Sequence, residues 1–96
     1  MLDAAAYDLA LPLPPMARDR AESIAYEVAS RAGLRVEDLK GANRKRRFSW
    51  PRQVAMTRIY REAGLSLLEI GRMFRRDHTT VIHAIRAVDA RMEKAQ

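Results

Sequence analysis

The sequence predicts an all-α protein, a small domain of about five helices. Two observations support this fold class. Apolar residues recur at intervals of three and four positions over most of the chain, which is the period of an amphipathic helix. Glycine and proline residues divide this pattern into segments of helical length, and beyond the first 15 residues no segment alternates as a half-buried strand does.

Size and composition restrict the class of protein. A chain of 96 residues is long enough for one domain, and its 48% apolar content is enough for a compact core. The absence of cysteine excludes disulfides and thiolate zinc sites. The apolar runs are far shorter than the roughly 20 residues that span a bilayer. We therefore expect a cytoplasmic protein with no membrane partner.

The first elements follow from proline and glycine positions. Prolines at positions 12, 14 and 15 disfavour a helix, so residues 1–15 are predicted to be a flexible leader and residues 16–96 the domain. Apolar residues at helical spacing then predict a first helix that ends at Gly33. A short helical turn in residues 34–41 follows it.

A basic segment, residues 40–52, carries six positive charges and no acidic residue. Gly41 is a poor helix former, and Pro51 suits the first position of the next helix. A loop of this charge can reach into a minor groove, and Arg52 and Gln53 at a helix start can hold a phosphate. The alternative is a solvated basic loop or a localisation signal.

The last two helices have the layout of a helix-turn-helix. A short helix is predicted from Ser66, with Glu69 at capping-box spacing. The turn "RRD" and a longer helix follow, and in a helix-turn-helix this second helix enters the major groove. Any two antiparallel helices joined by a short loop look similar. Whether this pair is a DNA-binding helix-turn-helix therefore depends on the side chains of the second helix.

The start of the last helix carries side chains suited to nucleic acid. Its outward positions are Thr79, His83 and Arg86, with His78 and Thr80 at the exposed tip. Threonine and histidine can bond to phosphates or base edges, and Asp77 can cap the helix as well as reach a base. The alternative is an ordinary capped helix whose threonines only fill its first turn.

The net charge of +6 is unevenly distributed. Residues 1–38 hold four basic and seven acidic residues, net −3, whereas residues 39–96 hold 14 basic and five acidic residues, net +9. A basic half on a small domain favours a polyanionic partner, first of all nucleic acid. The excess is almost all arginine, which suits forked contacts to phosphate and guanine.

Metal and enzyme functions are disfavoured. His78 and His83 are five positions apart, about 500° around a helix, so they point well apart. No nucleophile–base pair, carboxylate pair or metal cluster can be assembled from the spacings. We expect no cofactor, no small-molecule substrate and no enzymatic activity.

Three blocks of sequence are distinctive: "RQVAM" at 52–56, "SLLEIG" at 66–71 and "RDHTTVIHA" at 76–84. Together they closely resemble the C-terminal DNA-binding domain, domain IV, of the bacterial chromosomal replication initiator DnaA. The resemblance covers roughly residues 16–94 and implies a helix-turn-helix of the TrpR/DnaA-like type that reads short DnaA boxes.

The resemblance also implies roles for individual residues. Base contacts would come from Arg44 in the minor groove and from Asp77, His78 and Thr79 in the major groove. Backbone contacts would come from Arg46, Arg52, Gln53, Thr80 and His83, and from the main-chain amides of Leu67 and Leu68.

The chain departs from the family in three respects. Where the family has two glycines before the arginine of the last block, this chain has only Arg75, so the turn is one residue shorter. Leu68 stands where proline is common. No Gly-rich phosphate loop is present, so the chain resembles a free-standing domain without the ATPase of the initiator.

The leader contains "DLALPLP", which resembles a peptide by which some initiator-regulating proteins bind the replicative sliding clamp. Asp8 replaces a glutamine of that peptide. In this interpretation Leu9, Leu11 and Leu13 would fill pockets on the clamp. The alternative is a disordered leader, or one whose leucines fold back on the domain.

These observations predict a sequence-specific reader of double-stranded DNA at DnaA-box-like sites. It would be associated with the nucleoid and would modulate replication initiation or transcription. The alternative is a protein-interaction regulator that acts on the initiator, on its inactivation machinery or on the sliding clamp.

Overall fold

A computed structural model describes residues 15–95 of the chain. The elements in this range are α1 (Pro15–Arg31), α2 (Val36–Lys40), α3 (Arg46–Arg58), a π-helical segment (Ile59–Ala63), α4 (Leu67–Phe74) and α5 (His78–Lys94). This part of the chain contains no strand, and the predicted all-α fold with five helices is confirmed. Leu9, Leu11 and Leu13 of the leader lie outside the described residues.

A single hydrophobic core joins all of these elements. Its largest fully buried side chains are Ile24, Leu39, Met56, Ile59, Ile70, Phe74 and Val81, so every element supplies at least one. Burial of a side chain of this size contributes about 1.5–3 kcal/mol. The shared core therefore fixes the position of α5 relative to α3 and α4, on which the candidate site depends.

The third helix begins five residues earlier than predicted, at Arg46 instead of Pro51. The Asn43 carboxamide oxygen accepts a hydrogen bond from the Lys45 amide (2.9 Å), which turns the chain into the helix. Pro51 then lies inside α3, where it removes one intrahelical hydrogen bond. The basic loop is therefore shorter than predicted, residues 41–45, and the remaining basic residues lie on the first turns of a helix.

The connection from α3 to α4 has two conformational determinants. The π-helical segment ends at Gly64, whose φ of 73° lies in the left-handed region that glycine tolerates. The Ser66 hydroxyl then accepts a hydrogen bond from the Glu69 amide (3.1 Å), as the sequence predicts for the start of α4. No helix within residues 15–95 is long and apolar enough to cross a membrane.

Candidate nucleic-acid interface

The turn between α4 and α5 consists of residues 75–77. Arg75 has a φ of 57°, and among residues 15–95 it is the one non-glycine residue with a positive φ. The Arg76 amide donates a hydrogen bond to the Gly71 carbonyl (2.7 Å), which closes the end of α4. The left-handed conformation costs an L-residue about 1–2 kcal/mol. The packing of α4 against α5 therefore holds Arg75 in the conformation that the shortened turn requires.

Gly71 allows this turn to lie directly against α4. A Cβ atom at position 71 would lie 2.5 Å from the Arg76 carbonyl oxygen and 3.4 Å from the His78 amide nitrogen. No side chain fits in that space, and both atoms belong to the backbone. Gly71 thus sets how closely the start of α5 approaches α4.

The first two turns of α5 present the predicted outward side chains to solvent. Those of His78, Thr79, Thr80, His83 and Arg86 are all exposed, whereas Val81 and Ala84 are buried in the core. The predicted exposure of these side chains is therefore confirmed. These exposed residues offer hydroxyl, imidazole and guanidinium groups, all of which can bond to phosphates or base edges.

Asp77 occupies the cap position of α5, but its side chain makes no capping hydrogen bond, so this part of the prediction is wrong. The carboxylate instead lies beside the imidazole of His78, with 3.0 Å between Oδ1 and Nδ1. Both side chains are more than half exposed. The contact holds the two groups together in front of the helix, where a carboxylate can accept from the exocyclic amine of a base.

The basic loop and the start of α3 carry four consecutive basic residues, Arg44 to Arg47, all exposed. Arg44 lies on the loop, and Arg46 lies on the first turn of α3. The guanidinium of Arg47 lies over the ring of Phe48, 5.3 Å from its centroid. Arg44 is also close enough to Arg76 for its charge to lower the pKa of Arg76 further, after the larger lowering caused by burial. The loop therefore lies on the same side of the molecule as the turn before α5.

Arg52 does not have the position that the sequence predicts. It lies in the second turn of α3 and not at its start, and it is only 5% exposed. Its guanidinium donates hydrogen bonds to the carbonyls of Leu39 and Gly41, the second at 3.1 Å. Burial, and then the nearby charge of Arg76, lower the pKa of Arg52. Arg52 therefore supports the fold from within and does not offer a free guanidinium to phosphate.

Arg76 of the turn binds the same region of backbone. Its guanidinium donates to the Gly41 carbonyl (2.6 Å) and to the Phe74 carbonyl (2.7 Å). The last carbonyls of a helix have no partner within the helix, and arginine side chains supply partners for those at the end of α2. The Gly41 carbonyl thus accepts from both Arg52 and Arg76, which joins the start of the basic loop to the turn before α5.

A cleft between α3 and α5 brings together four of the residues predicted to contact the DNA backbone. Gln53 of α3 lines this cleft of about 140 Å³, opposite Thr80 and His83 of α5. Arg52 and Arg76 also line this cleft. The cleft places polar and basic groups directly beside the exposed start of α5.

The N-terminus of α4 supplies a further set of polar groups, which are main-chain amides. The first intrahelical hydrogen bond runs from the Ile70 amide to the Ser66 carbonyl. The amides of Leu67 and Leu68 precede this bond and so have no partner within α4. The side chain of Leu68 is 53% exposed, which leaves this end of the helix open. Free amides at a helix start favour an anion.

Ion pairing divides the cationic side chains into two groups. Arg20, Arg31, Arg58 and Arg61 form ion pairs with carboxylates on α1, the π-helical segment or α5. Within residues 15–95, no ion pair involves the cations of the loop, of the turn, or of the start of α3. These are Arg44, Lys45, Arg46, Arg47, Arg75 and Arg76. The uncompensated positive charge is therefore concentrated around the start of α5.

The geometry offers no metal centre in the part of the chain that the structure describes. No group of three histidine, cysteine, aspartate or glutamate side chains is arranged to hold a metal ion there. The close contact of Asp77 with His78 involves two exposed groups, and His83 lies further along α5.

Comparison with known proteins agrees with this geometry. The family model for the bacterial dnaA protein helix-turn-helix matches residues 21–88. A chromosomal replication initiator protein DnaA from Aquifex aeolicus is 44% identical over 68 residues, which are 70% of this chain and 17% of that protein. The DnaA of Desulfotalea psychrophila is 41% identical over 61 residues, 64% of this chain and 13% of that protein. No solved structure matches the chain.

The fold and the exposed second helix define a DNA-binding helix-turn-helix domain, a class that is not catalytic. The chain belongs to the bacterial DnaA helix-turn-helix family, whose model covers more than half of it. It spans less than a fifth of the length of the initiators that it matches. The resemblance inferred from the three sequence blocks is therefore confirmed.

Proposed function

We propose that this protein binds double-stranded DNA in a sequence-specific manner at DnaA-box-like sites. The observation that supports this most directly is the exposed first turn of α5, which is surrounded by cations that have no carboxylate partner among residues 15–95. A surface of this kind combines non-specific attraction to phosphates with groups that distinguish bases. The specificity arises from the base-edge groups and the affinity largely from the cations.

The base contacts in this proposal come from two places. Asp77, His78 and Thr79 read base edges in the major groove, because they lead α5 and are all exposed. Arg44 reads the adjacent minor groove from the basic loop, where a narrow groove attracts arginine. The hydrogen bonds that join the loop to the turn support simultaneous binding at both grooves.

The backbone contacts come from groups that flank the start of α5. They are the side chains of Arg46, Gln53, Thr80 and His83 and the amides of Leu67 and Leu68. These groups lie on α3, on α4 and on the recognition helix α5 itself, so they would hold several phosphates around the start of α5. Arg52 is omitted from this set because its guanidinium is buried and bound to carbonyls.

By occupying such sites the protein modulates replication initiation or transcription in association with the nucleoid. It would do so by competing with a full-length initiator for boxes or by assisting its binding. A single reading helix gives modest affinity, so closely spaced sites would strengthen binding through effective concentration.

The test is equilibrium binding to two duplexes of equal length and composition, one with a DnaA box and one scrambled, at physiological salt. We expect at least about tenfold tighter binding to the box. Thr79→Ala should reduce that preference by about tenfold, since losing one base contact costs about 1–3 kcal/mol. Ser23→Ala, which removes an exposed hydroxyl from α1, is the control and should leave the preference unchanged. Equal affinities of the unmodified protein for both duplexes would refute the proposal.

A further inference from the structure

A second cleft lies between the first turns of α3 and the C-terminal half of α5. It has a volume of about 270 Å³ and is lined by Arg46, Ser49, Trp50, Gln53, Ala87 and Arg91. Two arginines, a hydroxyl and a carboxamide are therefore directed at one space, and no carboxylate of residues 15–95 lines it. This composition suits an anion. Arg91 and Trp50 have no role in the sequence-based predictions of DNA contacts.

Trp50 holds the guanidinium of Arg91 in place. The guanidinium carbon lies 4.2 Å from the centroid of the indole ring, so the charged group stacks on the aromatic face. Stacking uses the face of the guanidinium and leaves its N–H groups, which lie in its plane, available at the edge. Arg91 is thus a pre-oriented donor fork whose side-chain entropy has already been reduced.

The charge of this cleft is not neutralised by neighbouring residues. Within residues 15–95, neither Arg46 nor Arg91 forms an ion pair, and no hydrogen bond joins either guanidinium to a carboxylate. By contrast, the acidic Asp89, two positions before Arg91, is paired with Arg61 (2.7 Å). The Asp89 carboxylate is therefore bound by Arg61 and is not a partner of Arg91.

The cleft is continuous with the proposed DNA interface. Ser49 and Gln53 line both this cleft and the neighbouring one that contains Thr80 and His83. Along α5 the lining positions 80, 83, 87 and 91 are separated by three or four residues and form a single stripe. At 1.5 Å per residue, Arg91 lies about 16 Å along the helix from Thr80. A phosphate at Arg91 is therefore a different one from the phosphate at Thr80.

We propose that Arg46 and Arg91, the latter positioned by Trp50, bind an additional backbone phosphate of the DNA duplex. The phosphate lies beyond those held at Thr80 and His83, so the α3–α5 groove extends the footprint along one strand. This inference rests on the proposed function, because it assumes that α5 binds duplex DNA by its first turn. It adds affinity and no base preference.

The first test compares the unmodified protein with Arg91→Gln on the box-containing duplex over a series of salt concentrations. Each phosphate neutralised contributes about 0.9 to the slope of log K against log [salt] on duplex DNA. We expect the slope of the variant to be smaller by about 0.9, and its preference for box over scrambled DNA to be unchanged. Arg18→Gln, which removes an equal charge from the exposed start of α1, should leave the slope unaltered.

The second test locates the phosphate. The box duplex is shortened by one base pair at a time, from each end separately, and binding of both proteins is measured at one salt concentration. Removal of one particular base pair, from one end of the duplex, should weaken binding of the unmodified protein and leave binding of Arg91→Gln unchanged. On that shortened duplex and on shorter ones the two proteins should bind with equal affinity. Arg91→Lys keeps the charge but not the donor fork, so it should keep the salt slope of the unmodified protein while binding the box duplex with an affinity between those of the unmodified protein and Arg91→Gln.

Two results separate this inference from the proposed function. If Arg91→Gln has the slope and the length dependence of the unmodified protein while the box preference persists, the additional site is disproved and the function stands. If neither duplex is preferred, the function fails. A slope change that occurs equally with Arg18→Gln would show a general charge effect and would also overturn the additional site.

Discussion

Arg52 is an arginine that stabilises the fold from inside the molecule. Its guanidinium spans the end of α2 and the middle of α3, and it satisfies carbonyls that the end of a five-residue helix leaves without partners. Burial of a charge is unfavourable, as the lowered pKa of Arg52 indicates. The carbonyl oxygens of Leu39 and Gly41 supply the compensating partners.

Replacing this side chain should destabilise the protein. Arg52→Ala removes hydrogen bonds to a charged donor and leaves buried carbonyls unpaired, so we expect the free energy of unfolding to fall by about 2–3 kcal/mol. Urea denaturation followed by circular dichroism measures the change. Arg47→Ala, at an exposed position of the same helix, is the control and should shift the midpoint only slightly. An unchanged midpoint for Arg52→Ala would contradict the structural role given to this residue.

At the scale of the elements, the α4–turn–α5 unit depends on close backbone contact. Gly71 and the left-handed Arg75 together allow a turn of three residues to connect two packed helices. This explains how a turn with no glycine of its own keeps the helix-turn-helix geometry. The family pattern has glycines in the turn. In this chain the close approach of the turn instead requires that position 71 has no Cβ atom, and Arg75 adopts the left-handed backbone conformation.

Gly71→Ala should therefore be more disruptive than an alanine normally is in a helix. The added methyl group would lie 2.5 Å from the Arg76 carbonyl oxygen. We therefore expect the free energy of unfolding to fall by about 1–3 kcal/mol, as for an overpacked core site. Gly41→Ala is the comparison, because its Cβ would lie 3.3 Å from the Glu37 carbonyl oxygen, a contact that a shift of a few tenths of an ångström relieves, and its φ of −77° suits alanine. Thermal unfolding of both variants checks the difference. Equal melting temperatures would show that the turn backbone shifts to accommodate the methyl group at little cost, which would contradict this role of Gly71.

At the scale of the whole molecule, the charges lie on two different sides. α1, the end of α3 and the π-helical segment are joined by ion pairs, in which Glu27 and Glu62 are bound by Arg58 and Glu62 also by Arg20. The other side carries arginines that have no carboxylate partner within the described part of the chain. One side thus contributes to stability through paired charge, and the other keeps its charge available for a polyanion.

The paired side predicts a dependence of stability on acid. The hydrogen bond from Arg58 lowers the pKa of Glu62 below its ordinary value of 4.5. A group whose pKa is depressed on folding stabilises the protein above its unfolded pKa, and this contribution disappears as the pH falls through the folded pKa. When the pH is lowered from about 7 to about 3, the melting temperature of Glu62→Gln should therefore fall by less than that of the unmodified protein. Glu93→Gln, with no partner assigned in residues 15–95, is the control. Parallel losses in both variants would exclude this role of Glu62.

The helical period was sufficient to predict the order of the helices and the buried face of α5, since apolar spacing reflects packing directly. The start of α3 was not predictable in this way, because Pro51 resembles a first-turn residue and the Asn43 contact that starts the helix earlier is local and polar. The burial of Arg52 was also missed, since arginine is almost never fully buried unless paired. The stacking of Arg91 on Trp50 joins residues far apart in the chain, and no short-range pattern reveals it.

The Gly41 carbonyl, which accepts from both Arg52 and Arg76, has a mechanical consequence. The loop that carries Arg44 and the turn that precedes α5 share one anchor, so neither can be displaced without straining the other. For a protein that reads two adjacent grooves, the distance between Arg44 and the start of α5 is then set by the fold and not by the bound DNA. With this distance fixed, binding would depend on the groove spacing and twist of the duplex as well as on the identity of its bases.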